Sequence, residues 1–413
     1  MKIAGIIAEY NPFHNGHAWQ IDELKKRYGA DFVIVVMSGD FVQRGGPALL
    51  PKQVRARMAL AGGADLILEL PVAMASASAE YFAGGGVEIM DRLGCIDVLC
   101  FGTEADEELL PQMKKAAGLL LDEPPVFSRT LQEELKKGRS FPRARQTALT
   151  AALSQNGGNA KEGDTSWLSS PNNILALEYI KALSRRGSRI CPLPIRRKGA
   201  GDNDMTLSED GFSSASAIRS LIEAGADQDS LNHQLPSESL LLLKESLHSK
   251  AWLCDADLDL LLHASLLGKS EDELAACFDL SRDLARRIRR ELPFYEGFSQ
   301  FAHRVKTSQI TLTRVRRALT HILLGLSEEE GRHSPLYVRV LGLRRENAFL
   351  LQEIKKRGSI QPVMKPARIP DFEHLDSTTA ASNLYQSVLF HKQRNSGWPA
   401  CFRHDFQIPA AFR

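Results

Sequence analysis

No stretch of this sequence approaches the roughly 20 consecutive apolar residues that a membrane-spanning helix needs, so no membrane partner is expected. Neither sign of charge is in surplus: 52 basic against 50 acidic residues leave a net charge of +2, and a nucleic-acid surface would have to come from local clusters. The six cysteines, Cys95, Cys100, Cys191, Cys254, Cys277 and Cys401, never fall in CxxC spacing. That excludes a metal knuckle and fits a reducing compartment. Internal repeats and low-complexity tracts are missing too. A single Lys2 before a short apolar run broken by Glu9 does not read as a secretory leader. What is left is 413 residues, 43% hydrophobic and 25% charged, the ordinary composition of a soluble protein of two or three domains, expected in the cytoplasm.

The chain is organised around its opening, MKIAGIIAEYNPFHNGH. An apolar run over residues 3–8 ends in a turn built from Asn11, Pro12, Asn15 and Gly16, and closes on His14 and His17. A strand this early, apolar on both faces, belongs in the centre of a helix-covered parallel sheet, and its C-terminal end opens into the crevice where such folds bind ligands. Two histidines three apart lie on one face of a first helical turn, where free N–H groups already favour a phosphate. They add donors able to neutralise charge on a pentacovalent phosphorus, and Gly16 lets a nucleotide approach the backbone. A pair of plain turn histidines is the competing reading. A zinc pair lacks both the Glu of an HExxH helix and a nearby third ligand, so no metal site is expected.

Residues 18–28 read as a helix and 32–37 as a second buried strand, which makes a right-handed βαβ unit. The glycine-rich segment 39–50 follows a strand end and reads as a substrate loop. From it and the next helix, 52–61, Arg44, Lys52 and Arg55 are candidate phosphate or substrate contacts; a solvated helix face is the alternative. Strands are expected at 65–70, 96–101 and 189–195, and helices at 82–93, 106–121, 126–135 and 174–183. Gly102 ends the fourth strand and leaves room for a base or ribose. Asn172 sits at a helix start that Pro171 favours. Arg197 and Lys198 join a glycine turn suited to phosphates. Ser216 and Arg219 belong to a second hydroxyl-rich helix start. Two such nests in one α/β domain look like a triphosphate clamp.

From 226 to about 351 the pattern is helical and basic. Arg286, Arg287, Arg289 and Arg290, then Arg314, Arg316 and Arg317, with Phe294, Tyr295, Phe298 and Phe301 interleaved, suggest a polyanion surface rather than a solvated one. Residues 358–413 read as a less regular tail.

The HNGH pair followed late by Ser-Ala-Ser-Ala-Ile-Arg resembles the HxGH nucleotidyltransferase superfamily. The strings EYNPFHNGH, MSGDFVQRG, GADLILELP, FGTE, SPNNILALEYIKAL and SASAIR, in that order, resemble the bacterial tRNA(Met) cytidine acetate ligase family. That resemblance implies a Rossmann-like α/β catalytic domain over 1–225 and a mainly helical, tRNA-binding domain over 226–413. It implies activation of acetate by ATP, brought as Mg-ATP, to acetyl-adenylate and pyrophosphate. The acetyl group then passes to N4 of the wobble cytidine of elongator tRNA(Met). Its ATP site would comprise Ile7, Ala8, Glu9, Tyr10, Asn11, Pro12, Phe13, His14, Asn15, Gly16, His17, Ala18, Trp19 and Gln20 with Gly102, Asn172, Arg197 and Lys198, and His14 and His17 would be catalytic. Because acetyl-adenylate hydrolyses readily, the 39–50 loop is expected to be a mobile cover. The chain departs from the family pattern at Gly46, at Gly201-Asp202-Asn203-Asp204 and at Ser216. Two rivals stay open from the residues: a small-molecule adenylyltransferase, which needs no basic helical half, and a non-catalytic RNA-binding protein on the same fold. A homo-oligomer also stays open.

Overall fold

The computed structural model describes residues 1–105, 107–155, 162–199, 206–226, 228–365 and 376–413. Its centre is a parallel sheet of β1 (Ile3–Ala8), β2 (Phe32–Ser38), β3 (Leu66–Leu70), β4 (Val98–Thr103) and β5 (Cys191–Arg196), in the order β5-β4-β1-β2-β3. β1 alternates between two cores. Ile3 and Ile7 pack under the helices Ala79–Arg92, Leu110–Asp122 and Pro171–Arg186. Ala4 and Ile6 pack under Asn15–Lys26, Lys52–Ala61, Ala215–Glu223 and Ser237–His248. Both faces are covered, which is why the strand reads as a continuous apolar run. From β1 the chain moves to β2 on one side and later places β4 on the other, with Ile6 in register with Cys100. Ligands bind where strand order reverses in this way, because the loops leaving the two strands diverge.

The C-terminal half departs from the sequence expectation. Helices between Asp259 and Leu324 do form a core of their own, around Leu262, Leu284, Ile288, Phe298, Phe301 and Leu319. The chain then rejoins the sheet: β6 (Tyr337–Leu343) pairs antiparallel with β3, and β7 (Gln361–Val363) and β8 (Ala411–Phe412) pair with β6. The expected helix to residue 351 is therefore interrupted by a strand, YVRVLGL. The tail also contains a regular helix, Asp376–Asn395, whose Ser/Thr/Asn-rich first half gives little helical contrast. A further helix, Phe141–Gln155, was not anticipated. Among the described residues no helix is long and apolar enough to cross a membrane.

Candidate active site

Beyond β1 the chain turns sharply at Tyr10, whose φ of 48° lies in the left-handed region that L residues seldom occupy. The turn delivers His14 as N-cap of the helix Asn15–Lys26. His14 Nδ1 accepts from the Gly16 N–H at 3.0 Å, and His17 Nδ1 accepts from the His14 N–H at 3.3 Å. The two rings stack at 3.8 Å. Burial, with the Arg197 and Arg219 cations nearby, pushes His14 down to about 3. Burial, His14 and Arg197 likewise hold His17 well below the usual imidazole range. Both rings are thus neutral at pH 7. Because each Nδ1 accepts, each ring proton sits on Nε2, so the pair offers two uncharged donors.

Gly16 serves the histidine as much as any ligand. A Cβ here would lie 2.9 Å from His14 Cε1 and 3.1 Å from Nδ1. Gly16→Ala should gain about 1 kcal/mol of helix propensity yet lower activity by roughly 10–10²-fold through displacement of the ring. Wild-type turnover in G16A would show that the ring tolerates the shift.

The histidines line a cavity of about 230 Å³ over the ends of β1 and β4. Of the sequence-proposed residues, Ile7, Ala8, Glu9, Tyr10, Asn11, Gly16, Trp19, Gln20, Gly102, Asn172, Arg197, Lys198, Arg44 and Arg219 also line it. The rest of the opening segment does not. Phe13 is fully buried beneath Tyr10, with ring centroids 4.9 Å apart. Asn15 donates to the carbonyls of Gly211 at 3.0 Å and His233 at 2.8 Å, fixing the helix start from outside. Pro12 and Ala18 lie off the lining as well.

Positive charge comes from the second nest and the loop. Ser216 Oγ accepts from Arg44 Nη1 at 2.9 Å and from Arg219 Nη2 at 3.2 Å, while Arg219 Nη1 donates to the Asn11 carbonyl at 2.6 Å. Ser216 is therefore off the cavity and orients two guanidiniums that are on it. Gly102 leaves room for Arg197, whose Cγ would stand 3.2 Å from an added Cβ. Asn172 Nδ2 donates to Glu104 Oε1 at 2.5 Å, and its neighbour Asn173, buried, accepts from the Glu104 N–H at 3.0 Å. Lys198 lies 4.5 Å over the Phe212 ring. Gly201-Asp202-Asn203-Asp204 lies outside the described residues.

Two expected phosphate contacts are corrected. Lys52 is fully buried and off the cavity; its Nζ meets Glu69 Oε1 at 2.7 Å, Ser382 Oγ at 2.8 Å and Asp405 Oδ1 at 3.1 Å. Arg55, also fully buried, donates to the carbonyls of Glu9, Ser38, Gly39 and Leu50. It ties the ends of β1 and β2 to the loop. The 39–50 loop is correspondingly pinned, not a free cover. Every residue in it except Gln43 and Arg44 is buried. Its N–H groups reach Glu9 Oε1 from Gln43 at 2.9 Å and Asn11 Oδ1 from Leu49 at 2.8 Å. The Tyr385 hydroxyl donates to the Ala48 carbonyl at 2.9 Å. An added Cβ on Gly45 (φ 79°) would meet the Arg317 backbone nitrogen at 2.4 Å, so the helical body braces the loop tip.

That contact reassigns part of the basic surface. Arg316 makes a two-armed pair with Asp255, and Arg317, only 12% exposed, faces Asp279. Arg287 donates to the carbonyls of Val305, Arg304 and Lys306. These three hold the helical body together. Phe298 and Phe301 are core, not stacking platforms, whereas Phe294 is exposed. Arg286, Arg289 and Arg290 remain on the surface, and Arg314 is half-buried. The sequence reading missed the cavity's apolar wall, Phe82, Phe101, Leu175 and Tyr179.

A stacked histidine pair at a β1/β4 switch point, ringed by arginine and lysine, defines a nucleotidyl transferase. The chain belongs to the HIGH Nucleotidyl Transferase family, which matches it over residues 1–397. Within that family it belongs with the tRNA(Met) cytidine acetate ligases. It is 38% identical to the tRNA(Met) cytidine acetate ligase of Clostridium perfringens, over 98% of this chain and 100% of that one. It is 37% identical to that of Acetivibrio thermocellus, over 88% of each. Its fold matches the apo crystal structure of Thermotoga maritima TmcAL with a TM-score of 0.91 at 29% identity, over 100% of this chain and 99% of that one. For the same protein bound with alpha-thio ATP the TM-score is 0.88, at the same identity and coverage.

Proposed function

We propose that this chain forms acetyl-adenylate from acetate and ATP and transfers the acetyl group to N4 of the wobble cytidine of elongator tRNA(Met). The observation that carries this is the neutral, stacked His14–His17 pair in a cavity that Arg44, Arg197, Lys198 and Arg219 also line, in a chain similar to acetate ligases over 98% of its length. A carboxylate is already a nucleophile, so the first step asks for alignment and charge neutralisation. The two Nε2–H donors address the oxygens of the α-phosphate. Arg44, Arg197, Lys198 and Arg219 take the charge of the departing pyrophosphate. Magnesium arrives with ATP, held by phosphates and water. A cytoplasmic location fits these substrates.

Transfer requires the anticodon arm to reach the cavity, and the exposed Arg286, Arg289 and Arg290 are the proposed polyanion contacts. Neutralising these three together should weaken tRNA binding and lower its salt slope by up to about 0.9 per lost phosphate contact, with adenylate formation kept. Unchanged binding would return them to a solvated surface. The function itself is tested by incubating the protein with ATP, labelled acetate and total bacterial tRNA, then digesting the RNA to nucleosides. Label in N4-acetylcytidine from one tRNA species is expected. Label in neither RNA nor adenylate, with ATP still bound, would turn the reading toward a small-molecule adenylyltransferase.

A further inference from the structure

We propose that Glu9 and Tyr179 form the edge that reads the acceptor cytosine, and that the Glu9 carboxylate takes the N4 proton as the acetyl group is transferred. This rests on the function proposed above.

The cavity has two unlike sides. His14, His17, Arg197 and Arg219 give a side suited to phosphates. Facing it are Phe82, Phe101, Leu175 and Tyr179, which belong to the core on the other face of the sheet. Glu9 directly follows β1 and is the one carboxylate among the described lining residues. The phosphates of ATP and acetate are anions that a carboxylate repels, so neither explains its presence. Its Oε1 is held by the Gln43 N–H of the pinned loop, so it does not swing away. Tyr179, on the same lining, is 2% exposed, and its buried hydroxyl has no hydrogen-bond partner among the described residues. Burial, and then the Glu9 charge, raise its pKa, which keeps it a proton donor at neutral pH. A buried hydroxyl left without a partner is costly, and such exceptions in native structures call for a ligand or water.

A fixed acceptor beside an unused donor, under an aromatic and aliphatic wall, matches an aminopyrimidine edge. Cytosine offers N4–H to Glu9 and N3 to the Tyr179 hydroxyl, the pairing by which carboxylates read cytosine. Uracil would set O4 against the carboxylate and be rejected. A base brought to chemistry in this way leaves its stack and sits against apolar side chains. Adenine presents the same donor–acceptor pair through N6 and N1, so the test must separate the two.

The atoms balance simply. The N4 lone pair attacks the acetyl carbonyl carbon of acetyl-adenylate and an N–C bond forms. The C–O bond to the adenylate phosphate breaks, and AMP departs with that electron pair. The N4 proton passes to the Glu9 carboxylate and then to water. The cytosine amine is weakly nucleophilic, and removal of its proton during attack is worth about 10²–10⁴-fold.

Glu9→Gln keeps the shape and removes the base. The full-length enzyme is assayed for acetate-dependent ATP–pyrophosphate exchange without tRNA, and for single-turnover acetyl transfer with it. Transfer should fall by about 10²–10³-fold, and exchange by less than about tenfold. Measurable exchange also certifies a folded site. Tyr179→Phe should raise KM for tRNA and lower kcat/KM about tenfold. If Glu9→Gln depresses exchange and transfer equally, Glu9 serves adenine or the metal of ATP, and the inference is overturned. Transfer that survives Glu9→Gln unchanged also overturns it, with the functional reading intact. Absence of transfer in the wild-type enzyme would overturn both.

Discussion

Replacing His17 with alanine lowers the rate of adenylate formation by roughly 10²–10³-fold, the cost of one preorganised donor to a developing oxyanion. The loss falls mainly on the rate and little on ATP affinity, because the cations that hold the triphosphate are untouched. His17 is neutral through burial, beside His14 and Arg197, so its contribution is a directed Nε2–H rather than a charge. Such a donor strengthens most as negative charge grows on phosphorus. Part of the loss is indirect: without His17 Nδ1 the His14 N–H, which it accepts at 3.3 Å, loses its partner. Single-turnover adenylate formation alongside ATP binding separates these effects. A rate near wild type would remove His17 from the reaction.

Replacing Lys52 with methionine unfolds or severely destabilises the protein, by about 3–5 kcal/mol, the usual cost of stranding buried charge. The methionine keeps most of the stem volume and removes only the ammonium. Glu69 Oε1 at 2.7 Å and Asp405 Oδ1 at 3.1 Å then lose their counter-charge. Arg339, which pairs with Asp405 and lies 3.9 Å from Glu69, is left to compensate both. The network ties the Lys52–Ala61 helix to β3, β6 and the C-terminal segment, so the effect spreads through the sheet. Denaturant unfolding measures it. Because Lys52 does not line the cavity, the molecules that remain folded bind ATP normally. A stable variant with lost ATP affinity would instead restore Lys52 as a phosphate contact.

The front of the molecule was legible because its physics is local. Strands buried on both faces read as unbroken apolar runs, glycine and proline mark their ends, and a switch point places the site at those ends. That is enough to bring the opening segment together with Gly102, Asn172, Arg197 and Arg219. What was not legible depends on partners distant in sequence. Lys52 and Arg55 looked like phosphate ligands because their carboxylate and carbonyl partners lie elsewhere in the chain. A signal did exist: Glu69 inside DLILEL and Arg339 inside YVRVLGL are charges within apolar runs, and opposite charges so placed call for each other. Recognising YVRVLGL as a strand would also have returned the chain to the sheet. The charge state of the histidines was out of reach, since it is set by burial that only the fold creates.

The most direct test of the central claim follows oxygen. Attack of an acetate oxygen on the α-phosphorus, then cleavage of the acyl C–O bond by the cytidine amine, leaves that oxygen on AMP. With doubly ¹⁸O-labelled acetate, ATP and tRNA, the AMP released is expected to carry one acetate-derived oxygen in its phosphate, in step with the acetyl group gained by tRNA. Acetylated tRNA accompanied by unlabelled AMP would contradict an acetyl-adenylate formed at the histidine pair.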